Sequence, residues 1–266
     1  MKIYGEAHKH VTMTIQFIPC HDQKYPQCMK GFWKRDGRPG FPQGSQPGYV
    51  LAAAPREQTA HIHKVAYMPK PFILASASEI RAMLLRNAGL DIEVKPARID
   101  ETAIRVSLES ESASPRDVAD TLAEYKAMRV SNARPGALVL GCDQVAEIKG
   151  SILSKPESPE SAADQLRLLS GQTHRLLSAA VLYLDGEPKW RHVGVVRLTM
   201  RKLSETYVAA YVERNWESIR HSVGAYKLEE EGVRLFSRID GDYFHVLGLP
   251  LTELLSFLVE TGELEI

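Results

Sequence analysis

Ala137-Leu-Val-Leu-Gly-Cys-Asp-Gln144 is the stretch on which the fold turns. Its first six residues carry no charge and no amide, so they read as a strand covered on both faces, the kind found in the middle of a sheet. At its end stand a carboxylate and an amide, Asp143 and Gln144. Upstream, Pro71-Phe-Ile-Leu-Ala-Ser76 reads as a second short buried strand and Ile92 to Val94 as a third. Between them Ile80, Met83, Leu84 and Ala88 fall at helical spacing over Glu79 to Gly89, with Gly89 as the stop.

Ser114-Pro115 opens a long helix that runs to Ser131, with Ser as N-cap and Pro in the first helical position. Val118, Leu122, Tyr125 and Met128 or Arg129 are expected on its inner face. Ser158-Pro159 opens another helix, carrying Ala162, Leu166 and Leu169 and ending at Gly171. Leu176 to Leu184 and Trp190 to Met200 read as long strands joined at Asp185-Gly186, a strong hairpin signal. Ser204 caps a helix through Arg214, Val233 to Phe236 reads as a short strand, and Leu251 to Val259 as a closing helix. Strands and helices alternate first and an antiparallel ribbon follows. The expectation is an α/β fold with a mixed sheet.

Composition narrows the function classes. The chain has 266 residues, 44% hydrophobic and 25% charged, ordinary values for a globular protein. Lys+Arg 33 balances Asp+Glu 33, so no global field draws the chain to nucleic acid or to a membrane. Three cysteines, Cys20, Cys28 and Cys142, make no disulfide scaffold. No apolar run approaches the ~18 residues of a membrane span. Thr12, Thr14 and Gln16 interrupt what a signal peptide would need to keep apolar. These features together predict a cytoplasmic protein without nucleic-acid or membrane partners.

The character of the chain changes near residue 68. Residues 1–67 hold nine Lys/Arg against four Asp/Glu, and Gly31 to Gly48 contains five Gly and three Pro. Such a segment resists regular structure. Residues 1–67 are therefore expected to be a disordered or non-native extension, with Met68 as an alternative start, and residues 68–266 to be the working domain. Cys20, His21 and Cys28 are spaced too widely for a zinc knuckle.

Chemistry is expected where apolar strands end. In Ala75-Ser-Ala-Ser-Glu-Ile-Arg81 a strand meets a helix N-terminus through hydroxyl residues. Exposed N–H groups there favour an anion, Ser76 and Ser78 can donate to phosphate oxygens, and Arg81 can fork two of them. Simple capping by Ser78 is the competing local reading. Asp143 is poised as a general base or metal ligand, or else serves an Asx turn. Glu101, Lys126 and Lys155 could complete a polyphosphate site; singly, each fits a surface ion pair equally well. Neither a Walker A loop nor a G-x-G-x-x-G loop is present.

The same segments, in this order, resemble the Maf (septum-formation-type) nucleoside triphosphate pyrophosphatases. The residues are Leu74-Ala-Ser-Ala-Ser-x-x-Arg81, Ile99-Asp-Glu-Thr102, Lys126-Ala127, Leu140-Gly-Cys-Asp-Gln144, Ser154-Lys-Pro156, Leu169-Ser-Gly-Gln-Thr-His174, Ser222-Val-Gly-Ala-Tyr226, Ile239-Asp-Gly-Asp-Tyr243 and Leu247-Gly-Leu-Pro250. The resemblance covers about residues 69–264. It implies an α/β/α sandwich around a long twisted mixed sheet, Maf/inosine-triphosphatase-like, with two lobes around a cleft.

It also implies hydrolysis of nucleoside triphosphates to monophosphate and pyrophosphate with a divalent cation, Mg²⁺ or Mn²⁺, as house-cleaning of modified or surplus nucleotides. On that resemblance Asp143 is the catalytic base. Ser76, Ser78, Arg81, Lys126 and Lys155 contact the triphosphate, and Glu101 with Asp143 holds the metal. Ile80, Gln144 and Glu229 bear on the base, a methylated guanine or a pyrimidine. Homodimers occur in the family. Two positions depart from the common pattern: Glu79-Ile80-Arg81 stands for Pro-Arg-Arg, and Gln144 for a frequent Thr. A nucleotide-binding regulator of cell division that does not turn over its ligand is the alternative.

Overall fold

The computed structural model describes residues 68–266. The readings of residues 1–67, the basic extension and its Cys and His residues, lie outside the described residues. The apolar run at Ala137 does form the middle of a mixed sheet. Seven strands take part: β1 (Phe72–Leu74), β2 (Ile92–Val94), β3 (Leu138–Ile148), β4 (Ser151–Leu153), β5 (Thr173–Leu184), β6 (Glu187–Met200) and β7 (Phe236–Asp240). Their order is β2-β1-β3-β5-β6-β7, with β4 beside β3. β1 lies parallel to both β2 and β3, whereas every other pairing is antiparallel.

Among the described residues seven α-helices surround this sheet: α1 (Glu79–Asn87), α2 (Glu101–Ser110), α3 (Pro115–Ser131), α4 (Pro159–Leu169), α5 (Glu205–Ile219), α6 (Tyr243–Val246) and α7 (Leu251–Glu260). Ser114 and Ser158 cap α3 and α4 with reciprocal side-chain bonds, and Pro sits in the first turn of each. Asp185 and Gly186 both have positive φ, 54° and 79°, as the two-residue hairpin turn between β5 and β6 requires.

Three buried clusters hold the layers. Leu74, Leu140 and Leu182 pack under α1 and α7 on one face of the sheet. Ile73, Val139 and Val181 pack under α3 on the other. A third cluster, with Leu166, Leu198 and Tyr211, fills the far end of the β5–β6 ribbon against α4 and α5. Two lobes result, joined by the long strands β3, β5 and β6.

Several expectations need correction. Asp143 and Gln144 do not end a strand or serve an Asx turn; β3 continues through them to Ile148 because β5 pairs with it from Leu138 to Glu147. Tyr125 is exposed, and Lys126 takes the inward position on α3. The region expected as a strand from Val233 to Phe236 is instead a 3₁₀ turn (Glu231–Leu235) followed by β7. α5 runs one turn past Arg214. α2 buries no residue fully, and its sequence reads as scattered charge.

Gly141 sets how closely α3 approaches β3. A Cβ there would lie 2.1 Å from the Ala123 carbonyl oxygen and 2.6 Å from the Ala127 nitrogen, both backbone atoms of α3. Gly141→Ala is therefore expected to cost about 1–3 kcal/mol through overpacking. A lower urea midpoint at an unchanged m-value is the measurement that checks it.

Candidate active site

β1 and β4 cover different parts of the same edge of β3. β1 pairs with it only as far as Leu140, where Ala75 N–H donates to the Leu140 carbonyl at 2.8 Å. β4 begins pairing at Ala146. Between them the edge has no neighbouring strand among the described residues, and a cleft of about 950 Å³ opens there. A bare carbonyl edge needs donors. Arg81, from the first turn of α1, supplies one: Nη1 donates to the Cys142 carbonyl at 3.1 Å and to Ser76 Oγ at 3.2 Å, while Nε donates to the Gly248 carbonyl at 2.8 Å.

Ser78 caps α1, accepting from Arg81 N–H, so the capping reading holds. Arg81 thus ties α1, β3 and the turn before α7 together, and its Nη2 makes none of these bonds.

Asp143 points to the α3 side of the sheet, where Gly141 brings α3 close. Lys126 Nζ meets Asp143 Oδ1 at 2.7 Å and Glu101 Oε1 at 2.9 Å. Arg105 Nη2 donates to Asp143 Oδ2 at 3.2 Å. Asp143 is 5% exposed and Lys126 8%, so each charge needs its partner. Burial works against the Glu101 carboxylate, but Lys126, Lys155 and Arg105 together hold its pKa below the ordinary value. Arg105 is a residue that the sequence reading missed. Its signal was an N-cap at Asp100 and a Glu101–Arg105 pair at i,i+4 spacing on one helix face.

Gln144 points to the opposite face. Its Nε2 donates to Ser178 Oγ at 2.9 Å, the Val246 carbonyl at 3.0 Å and the His245 carbonyl at 3.1 Å. The amide nitrogen is therefore spent within the protein, and only Oε1 remains to meet a ligand. Ser76, Ser78, Ile80, Arg81, Glu101, Lys126, Asp143, Gln144, Lys155 and Glu229 all line the one cleft. The structure brings together every site position that the sequence singled out. It engages Arg81 and Gln144 in more internal bonds than the sequence suggested.

Carboxylate oxygens of Asp143 and Glu101 converge on a single cationic nitrogen, Lys126 Nζ. Oxygen donors of this kind suit a hard divalent ion, which commonly takes one or two carboxylates and completes its shell with phosphate oxygens and water. The residues fit such an ion if Lys126 yields its place.

A family model described as Maf-like protein matches residues 71–261. A nucleoside triphosphate pyrophosphatase of Ruegeria pomeroyi (strain ATCC 700808 / DSM 15171 / DSS-3) is 59% identical over 198 residues, 74% of this chain and 100% of the relative. One of the same description from Roseobacter denitrificans (strain ATCC 33942 / OCh 114) is 62% identical over 197 residues, 74% of this chain and 99% of the relative. A 7-methyl-GTP pyrophosphatase of Mesorhizobium japonicum (strain LMG 29417 / CECT 9101 / MAFF 303099) is 47% identical over 198 residues, 74% of this chain and 100% of the relative.

Behind the cleft wall, His174 Nε2 shares a 2.6 Å hydrogen bond with the hydroxyl of Tyr226, itself a lining residue. His174 Nδ1 is buried without a partner. Burial holds the His174 pKa down to about 4 against a small opposing pull from Glu147. Between the ordinary value near 6.5 and about 4, the unfolded chain binds a proton that the folded chain refuses. Stability is thus complete above pH 6.5 and declines as pH falls toward 4, by about 3 kcal/mol at most from this group. Urea titrations at pH 7 and pH 5 should show that decline in the wild type and a smaller one in His174→Gln.

Proposed function

The chain belongs to the Maf-like protein family, and from that membership we propose that it hydrolyses nucleoside triphosphates to nucleoside monophosphate and pyrophosphate through the cleft at the β3 edge. It is a nucleoside triphosphate pyrophosphatase. The observation that carries the site assignment is a buried carboxylate, Asp143, gripped by two cations in a cleft that also gathers a helix N-terminus, Arg81 and Lys155.

In the reaction a water oxygen bonds to phosphorus, the α–β anhydride P–O bond breaks, pyrophosphate leaves, and a water proton passes to Asp143. Water is a weak nucleophile at neutral pH, which is why a positioned base matters. Each Asp143 oxygen carries one cationic partner, Arg105 or Lys126, and keeps a second lone pair that can take the proton. Phosphate oxygens entering the cleft offer Arg105, Lys126 and Lys155 a new counter-charge. Fixed cations of this kind stabilise the charge that spreads over phosphoryl oxygens in the transition state. Asp143 and Glu101 would hold a Mg²⁺ or Mn²⁺ ion, which supplies further neutralisation of the triphosphate when bound.

On the base side, Gln144 Oε1 and the Glu229 carboxylate present acceptors with Ile80 as an apolar neighbour. Acceptors suit a guanine edge, which offers N–H donors, and a methylated guanine nucleotide fits this reading. We propose the cytoplasm, where nucleotide pools reside, as the place of the reaction. Separately, no helix among the described residues is long and apolar enough to cross a membrane. Residues 68–266 are proposed to carry the activity, since the family match lies wholly within them.

Pyrophosphate release from a panel of ordinary and base-modified triphosphates should require Mg²⁺ or Mn²⁺ and stop on chelation. Asp143→Asn should lower kcat by roughly 10²–10⁴-fold. Tight nucleotide binding without turnover on any member of the panel would turn the reading toward a sensor. Removing residues 1–67 should leave kcat/KM unchanged, and a large loss would assign those residues a part in the reaction.

A further inference from the structure

Outside the cleft, His192 on β6, His245 on α6 and Glu253 on α7 turn their ligating atoms toward one point. His245 Nε2 lies 3.1 Å from Glu253 Oε2, and His192 Nε2 lies 3.8 Å from Glu253 Oε1. All three donor atoms fall within 4.8 Å of one another. In a tetrahedral shell with metal–ligand bonds of about 2.0–2.2 Å, neighbouring donors stand about 3.3–3.6 Å apart. To the single oxygen Glu253 Oε1, His245 Nε2 and His192 Nε2 stand at 3.1 and 3.8 Å, values that bracket that spacing.

The surroundings hold two of the ligands in place. A Cβ at Gly194 would fall 2.2 Å from His245 Nδ1, so the glycine leaves the space that the imidazole occupies against β6. The His245 backbone is fixed at both ends. Its N–H donates to Asp242 Oδ1 at 3.1 Å, and its carbonyl accepts from Ser178 Oγ at 2.6 Å and from Gln144 Nε2 at 3.1 Å. Trp190 stacks on the His192 ring at 6.2 Å with a 12° interplanar angle, which sets that ring's direction. A neutral imidazole offers one ring-nitrogen lone pair to a metal. Glu253 supplies the countercharge, and Arg116, bonded to the Val193 carbonyl, is the nearby charge that opposes a cation.

We propose that His192, His245 and Glu253 form a second metal site, for a borderline-soft first-row cation such as Zn²⁺ or Co²⁺, that clamps α6 to β6 and α7. Two imidazoles and one carboxylate with an open position are a donor set that such ions take and that Mg²⁺, which prefers oxygen, does not. The clamp reaches the cleft through the chain: the His245 and Val246 carbonyls that hold Gln144 belong to the clamped helix. This site is chemically separate from the oxygen-lined position at Asp143 and Glu101.

The test uses the full chain, freed of metal, titrated with Co²⁺ and followed by its visible d–d absorption, with Zn²⁺ as competitor. One equivalent should bind with a nitrogen–oxygen spectrum, and Zn²⁺ should displace it. In His192→Ala and in the isosteric Glu253→Gln, Co²⁺ affinity for that equivalent should fall roughly 100-fold or more. Far-UV circular dichroism and Mg²⁺-supported turnover of the metal-free variants serve as the check on folding. Zn²⁺ should raise the wild-type melting temperature and leave that of His192→Ala unmoved. Equal Co²⁺ stoichiometry and affinity in all three proteins, or a thiolate charge-transfer spectrum that neither substitution alters, would overturn the site. A Zn²⁺ shift in Tm that persists in both variants would overturn the clamp.

Discussion

Between Leu140 and Ala146 one edge of β3 has no strand beside it among the described residues, and the Arg81 guanidinium stands partly in the missing strand's place. Most of the cleft depends on that substitution. A strand there would have filled the space; nothing at all would have left backbone polar groups bare. Arg81 satisfies one carbonyl and leaves room beside it. Its other bonds, to Ser76 Oγ and the Gly248 carbonyl, bring the start of α1 and the turn before α7 to the same place. A lysine would not reproduce this, because its ammonium lacks the planar fork that reaches several acceptors at fixed angles.

The electrostatics follow from the same geometry. β3 alternates its side chains across the gap, so consecutive residues serve opposite walls: Asp143 faces α3 and Gln144 faces α6. The α3 wall carries charge in compensated form, with Lys126 between two carboxylates. The α6 side holds Gln144 by hydrogen bonds, with the Arg81 guanidinium anchored on the Gly248 carbonyl beside it. A triphosphate suits the first wall and a heterocyclic base the second. The close packing of α3 on Gly141 keeps Lys126 within reach of Asp143.

Much of this was legible in the sequence, because local chemistry and tertiary structure agree. Ser-Pro pairs at 114–115 and 158–159 start helices by capping and by a preset φ, whatever lies around them. Asp185-Gly186 makes its turn for similarly local reasons. The failures came where distant partners decide. β3 runs on past Asp143 because β5, some forty residues later, pairs with it along that length. Lys126 rather than Tyr125 turns inward because a buried carboxylate outweighs an apolar contact at that position. α2 escaped because it is half-exposed and charge-rich, and Arg105 escaped with it. That Arg81 would plug a sheet edge had no local signal, since its acceptors at Cys142 and Gly248 are remote in sequence.

The order in which the sheet is connected also bears on how the chain reaches this state. β5 and β6 meet through a two-residue turn, so they close at little cost in loop entropy. β1 and β3 lie parallel, Phe72 opposite Leu138, and their union must close a loop that contains three helices. Topology of this kind favours an early ribbon and a late parallel half. The charged groups of the cleft, Arg81, Glu101, Lys126 and Asp143, are brought together only when that long loop closes. The ribbon can be well formed while the cleft does not yet exist.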